Sequence, residues 1–424
     1  MNPFRYLLAA VLLIVGGTAL FGCGGNSTRD NRNDGSTADA STDAPTSDGA
    51  DGADGSVTEM KWEFGSPIEA NPGQWTWVEF PGTRCMRSNK PVGIAINPAP
   101  ADSPNADKVH IWMEGGGACF NNTTCNPPEL VQLLTGETAF AAHVLGYTEA
   151  DMAKTIASAR NLNRAAAENP FKDWNLVMVP YCSGDIHTGR GATYGNGTYT
   201  GYSNMTAYLK RIVPTFPAAE VVILSGSSAG GFGAIFNYEQ TQSAFGDVPV
   251  HLLQDSSPFV TGSAMTVCAQ ERIRSVWDLD PILPRECTDC TNPAKGGLSN
   301  LHGALMEKYP ERRFGLIAST ADETIRFFWG ETMSECAVPD ADETVLAVVP
   351  ISLRVISPQT FSTAMFALES AEFAPHDNAG MFLIRAERHV FLDTMSEGGG
   401  SPALPGWIAE FATGSPDWAT RLPQ

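Results

Sequence analysis

Residues Gly226-Ser227-Ser228-Ala229-Gly230 fit the pattern G-x-S-x-G, centred on Ser228. Just before them, Val221 to Leu224 supply three β-branched residues and a leucine, the composition of a buried strand. A serine at a sharp strand-to-helix turn sits in strained backbone and lifts its Oγ clear of the sheet. Glycines flank it because Cβ atoms would collide in so tight a turn. The helix that follows, expected over Ala229 to Gln240, would aim its N-terminal N–H groups at the site and favour developing negative charge. The chemistry this suits is nucleophilic attack on an acyl group by Ser228. The bland alternative is an ordinary glycine-rich turn. Ser225 and Ser227 are assigned to hydrogen bonding within the turn.

A serine nucleophile needs a base and a group to orient that base. Hydrolases with this turn carry them in the chain order Ser, acid, His. The histidines after Ser228 are His251, His302, His376 and His389. His251 falls inside a strand and His302 in a helical segment. His389 follows the last apolar strand, where a loop can return it to the catalytic edge, so it is taken as the base, with His376 as its rival. Asp322 follows the apolar run Phe314 to Ser319 and is taken as the acid and as a helix cap. Asp255 is the rival acid and Glu323 a weaker one. The oxyanion that forms on attack needs N–H donors. The run Glu114-Gly115-Gly116-Gly117-Ala118-Cys119 resembles the glycine loop of esterases. Gly116 and Gly117 are assigned that role together with the N–H of Ala229. Glu114 is read as holding the loop from below.

No metal and no organic cofactor are expected. The histidines are scattered and the folded body has no HExxH motif. Cys287-Thr-Asp-Cys290 is read as a local disulfide in preference to half a zinc site, since no second CxxC exists.

The elements that would position these groups alternate. Short apolar runs at Val109–Met113, Trp174–Pro180, Val221–Leu224, Val250–Leu253, Phe314–Ser319 and Gly380–Ile384 read as strands. Helical spacing appears within Leu130–Ala159 and over Tyr202–Phe216, and Lys61 to Pro81 reads as short strands and turns. This implies an α/β class with a mostly parallel central sheet covered by helices on both faces. Ligands of such sheets bind at the C-terminal strand edge, where the glycines and polar residues cluster here.

The chain has 424 residues, 43% of them hydrophobic and 17% charged, which fits a globular body. Its net charge of -20 makes nucleic acid a poor partner. Arg5 and the apolar run Tyr6 to Phe21 form the n- and h-regions of an export signal over residues 1–22. The run of 16 residues, with two glycines, is short for a membrane span. Leu20-Phe21-Gly22-Cys23 looks like a bacterial lipobox, with Phe21 where a small residue is more usual, so Cys23 is expected to carry lipid. A plain secretory signal is the alternative. Residues 23–58, rich in Asp, Gly, Ser, Thr and Ala, cannot bury apolar area and are expected to be a disordered tether. Residues 59–424 are expected to form the α/β-hydrolase catalytic domain. The membrane is expected to be met only through the lipid, with the outer membrane, the cell surface or the medium as the expected location. Without Cys23, eight of the nine cysteines remain, an even number that reads as four disulfides, with 105 possible connectivities.

Taken together, WMEGGGACFNNTTC, PYCSGDIHTG, GSSAGGFGA, ASTADETIRFF and RHVFL resemble the pectin acetylesterase/Notum carboxylesterases over roughly residues 75 to 395. The resemblance implies an α/β-hydrolase-like fold, a Ser228–Asp322–His389 triad, and disulfides Cys119–Cys125 and Cys85–Cys182. By position the remaining pairs are Cys287–Cys290 and Cys268–Cys336. Where Notum carries Trp-Tyr in the glycine loop, this chain has Gly117-Ala118, which weakens any case for a deep slot for a long acyl chain. Asp185 and His187 are expected either to contact a sugar or to stabilise their loop. The expected activity is that of an exported serine carboxylesterase, monomeric, acting on O-acetyl esters of a polysaccharide such as pectin. The alternatives are an esterase for other acyl or lipid esters and a catalytically silent surface binding protein on the same scaffold.

Overall fold

A computed structural model describes residues 61–126, 141–337, 355–396 and 403–423. The export signal, Cys23 and the tether lie outside the described residues, as does the segment 130–140 of the first expected helical stretch.

Eight strands form one sheet in the order β1-β2-β4-β3-β7-β8-β9-β10. They are β1 Thr76–Phe80, β2 Val92–Asn97, β3 Lys108–Met113, β4 Asn175–Val179, β7 Val221–Ser227, β8 Val250–Asp255, β9 Phe314–Ser319 and β10 Ala379–Ile384. A separate two-stranded hairpin pairs β5 Thr193–Tyr194 with β6 Gly197–Thr198. From β4 to β10 every neighbouring pair in the large sheet is parallel, while β1–β2 and β2–β4 are antiparallel. The sheet is flanked by helices, among them Gly201–Thr215, Ala229–Phe236, Tyr238–Phe245, Glu323–Ala337 and Ala403–Thr413. This is the mostly parallel, α/β-hydrolase-like architecture expected from the sequence. Strands β4, β8, β9 and β10 are buried at every residue, which is why they read as unbroken apolar runs without alternation.

The register lines up the chemistry. Met113 pairs with Gly226, Ser227 with Asp255, and Ser319 with Ile384. The loops after β3, β7, β8, β9 and β10 therefore all leave from one edge of the sheet.

One expected helix is divided. The segment after Ser228 forms Ala229–Phe236 and then Tyr238–Phe245, broken at Asn237. The Asn237 side chain donates to the carbonyls of His187 and Gly233, at 2.9 and 2.7 Å. Those bonds fix Asn237 between the two helices and outweigh its neutral helical preference.

Four disulfides close the fold: Cys85–Cys182, Cys119–Cys125, Cys268–Cys336 and Cys287–Cys290. The first ties the loop after β4 to the segment after β1. No helix among the described residues is long and apolar enough to cross a membrane.

Candidate active site

Ser228 stands between β7 and the helix Ala229–Phe236 with φ 57° and ψ -123°. That is a costly conformation for a residue with a Cβ, and it turns the side chain out of the sheet. Its neighbours hold it there. Ser228 N donates to the carbonyl of Asp255 at 2.8 Å, and Ser228 O accepts from Gly231 N and Phe232 N. A Cβ on Gly230 would run into the carbonyls of Met113 and Glu114. The missing side chain is thus what lets the Ser228 turn lie against the end of β3. Ser225 and Ser227 are engaged elsewhere. Ser225 Oγ lies 2.7 Å from His110 Nε2, and Ser227 Oγ donates to Asp255 Oδ2 at 3.1 Å.

His389 and Asp322 come together on two loops that run side by side. Thr320 N, Ala321 N and Glu323 N donate to the carbonyls of Ile384, Ala386 and Glu387, at 2.8, 3.1 and 3.0 Å. Across this strip His389 Nδ1 donates to Asp322 Oδ2 at 2.8 Å. The other oxygen, Asp322 Oδ1, accepts from Thr324 N and Ile325 N, both at 3.0 Å, and so caps the helix that begins at Glu323. Asp322 is 1% exposed. His389 Nε2 is buried and has no hydrogen-bond partner among the described residues. Burial works against the imidazolium, but the charge and hydrogen bond of Asp322 outweigh it, helped by the charges of Asp255 and Asp393. The His389 pKa is held above its ordinary value.

The rival acid takes a different place. Asp255 does not bond the imidazole. Its Oδ2 accepts from Phe391 N and Leu392 N, both at 2.8 Å, and its Oδ1 accepts from Ser256 Oγ at 3.0 Å. Burial pushes its carboxyl up to about 6. The other histidines after Ser228 stand elsewhere. His251 Nδ1 accepts from Arg313 N at 2.9 Å, and His302 Nδ1 donates to Ser299 O at 3.2 Å. Burial lowers these two rings to about 3 and about 4. His376 lies beside Gly303 of the helix Asn300–Lys308, its Nε2 3.6 Å from where a Cβ there would sit.

The glycine loop after β3 lies directly on Ser228. A Cβ on Gly115 would come within 2.9 Å of Ser228 Cβ and collide with Ser227 O. Gly117 has φ 85°, a left-handed conformation that favours glycine. Among the described residues the N–H groups of Gly116 and Gly117 donate to no acceptor, and Ala229 N is one of the unpaired N–H groups at the start of its helix. Glu114 holds the loop from beneath: its Oε1 accepts from Thr155 Oγ1 at 2.6 Å and its Oε2 from Tyr181 N at 3.1 Å. Burial raises the Glu114 carboxyl.

Asp185 and His187 are buried, and their polar atoms are spent within the fold. Asp185 accepts from Ser183 Oγ, Gly189 N and Gly201 N. His187 Nε2–H donates to Glu114 O at 2.8 Å, and burial lowers its ring to about 4. Of the two expected roles, loop stabilisation is the one the geometry carries. The motif PYCSGDIHTG gave the residues away, but nothing in it says that they point inward. No group of three or more His, Cys, Asp or Glu side chains suited to a metal ion occurs among the described residues.

Fold and site together define an α/β-hydrolase-like protein with a serine turn at the C-terminal edge of its parallel strands. The pectinacetylesterase family model matches residues 93–308, just over half of the chain, and the chain belongs to that family. The matched span includes Ser228 and the glycine loop but ends before Asp322 and His389. Among curated relatives, the palmitoleoyl-protein carboxylesterase NOTUM of Schmidtea mediterranea is 27% identical over 168 residues, 38% of this chain and 29% of that protein. The human protein of the same name is 24% identical over 221 residues, 43% and 42% of the two chains. Pectin acetylesterase 5 of Arabidopsis thaliana is 24% identical over 197 residues, 44% and 43%. The chain spans less than half the length of each.

Proposed function

We propose that this protein is an exported serine carboxylesterase that removes O-acetyl groups from a polysaccharide. Ser228 Oγ attacks the ester carbonyl while His389 Nε2 takes its proton. Asp322 holds the imidazole in the tautomer with the proton on Nδ1 and favours the imidazolium as it forms. The oxyanion is met by the N–H groups of Gly116, Gly117 and Ala229. His389 then protonates the leaving alcohol, and water, activated by the same imidazole, frees the acid from Ser228. One observation carries the reading: a buried imidazole bonded to Asp322 through Nδ1 at 2.8 Å, with Nε2 left unpartnered among the described residues.

The acetyl assignment rests on Gly117-Ala118 in the glycine loop, which bring no bulky side chain beside the oxyanion position, and on the relative named pectin acetylesterase. A second reading is favoured by the relatives named palmitoleoyl-protein carboxylesterase: hydrolysis of a longer acyl ester. Four disulfides support an extracytoplasmic location, in keeping with a lipid anchor on Cys23 and a tether over 23–58. The test is hydrolysis of p-nitrophenyl acetate. Wild type turns it over and Ser228→Ala, folded as judged by circular dichroism, does not. Equal rates from the two proteins would remove the proposal.

A further inference from the structure

Asp255 is completely buried, and it touches both halves of the relay without touching the imidazole. Its main-chain carbonyl accepts from Ser228 N. Its Oδ2 takes three donors: Ser227 Oγ from the residue before the nucleophile, and Phe391 N and Leu392 N from the loop that carries His389. Its Oδ1 takes the hydroxyl of Ser256, whose Oγ in turn accepts from Val390 N at 3.0 Å. Three successive amides after His389 are therefore fastened, directly or through one hydroxyl, to the residue that also fastens Ser228. Val390, at φ 60°, and Ser256, at φ 56°, hold left-handed conformations in this strip, which persist only where surrounding bonds over-determine them.

We propose that Asp255 is a positioning residue of the hydrolytic relay, clamping the His389 loop onto the strand end that presents Ser228. The proposal rests on the serine-esterase reading above. Two segments 134 to 137 residues apart in sequence are brought into fixed register by one carboxylate and its neighbouring hydroxyl. A reach of this kind matters because a misplacement of about 1 Å at a catalytic group can cost on the order of 100-fold in rate. Charge contributes as well. The groups facing His389 are Asp322, Asp255 and Asp393, and Asp393 also faces Arg388.

The test uses Asp255→Ala and Asp255→Asn in the full chain, with folding checked by thermal melting. Asn keeps an oxygen for the two amides but removes the charge. Asp255→Ala is expected to lower kcat by about 100-fold with little change in KM. Asp255→Asn is expected to recover most of that loss. In Asp255→Asn the His389 titration, followed by NMR and assigned with His389→Gln, should move to lower pH. That signal does not depend on turnover, so it reports on Asp255 even if the substrate assignment is wrong. If Ser228→Ala is inactive but folded Asp255→Ala keeps the wild-type kcat, this inference fails while the serine mechanism stands. An Asn variant as impaired as Ala, or an unmoved His389 titration, would equally overturn it.

Discussion

His389 and Asp322 are joined by a 2.8 Å hydrogen bond from Nδ1 to Oδ2, although 67 residues separate them in the chain. The carboxylate is rigid because its second oxygen caps a helix through Thr324 N and Ile325 N. Asp322→Asn should therefore leave the fold and the cap in place, since an amide oxygen can still accept, while presenting the ring with the wrong hydrogen-bonding group. Losses of about 10⁴-fold in kcat accompany that change where an aspartate orients a catalytic histidine. Steady-state kinetics of the folded variant check this.

The acid limb of activity follows from the direction of the His389 shift. Only the neutral imidazole can take a proton from Ser228, so kcat/KM falls as pH drops through its pKa. Because Asp322, Asp255 and Asp393 outweigh burial, that limb should lie above the ordinary value of 6.5. The same shift acts oppositely on stability. A raised folded-state pKa contributes stability that is fully present below the unfolded value and is lost as pH rises through the folded one. A pH–rate profile and a pH series of chemical denaturation curves measure the two effects separately.

Gly230→Ala should damage both fold and rate. The added carbon meets backbone carbonyls of Met113 and Glu114, which cannot swing aside as a flexible side chain would. Overpacking of this kind typically costs about 1–3 kcal/mol. It should also push the glycine loop away from Ser228, so kcat should fall further than the loss of stability explains. Denaturant unfolding and kinetics on the same sample read both.

The disulfides should differ in weight. Cys85–Cys182 closes a separation of 97 residues and Cys287–Cys290 one of 3. Loop-closure entropy assigns the long bridge up to about 4.7 kcal/mol and the short one far less. Replacing Cys85 and Cys182 together by Ala should lower Tm strongly, whereas replacing Cys287 and Cys290 should change it little. Differential scanning calorimetry compares the two.

The six strands that stand in the parallel part of the sheet were legible because each is buried on both faces and so has no polar alternation to blur it. Ser228, Asp322 and His389 each follow such a strand in the sequence, which is what singled them out as candidates. Strand β1 was harder. Trp77 and Val78 in β1 are half-buried and Glu79 is exposed, so that strand merges with the turns around it. The break at Asn237 was invisible because its cause is the carbonyl of His187, remote in sequence. Asp255 was visible as an acid after a strand, but its role was not. Whether a carboxylate faces a ring or a row of amides is decided by the path of the loop at 390–392, which residue types alone do not fix.

The central claim is that Ser228 is an activated nucleophile served by His389. Its most direct measurement is treatment of the folded protein with a fluorophosphonate, followed by mass-spectrometric mapping of the adduct in wild type and in His389→Gln. A single stoichiometric label on Ser228 is expected in the wild type, with labelling slowed by orders of magnitude in the variant. A label on another residue, or equal labelling of Ser228 in both proteins, would contradict it.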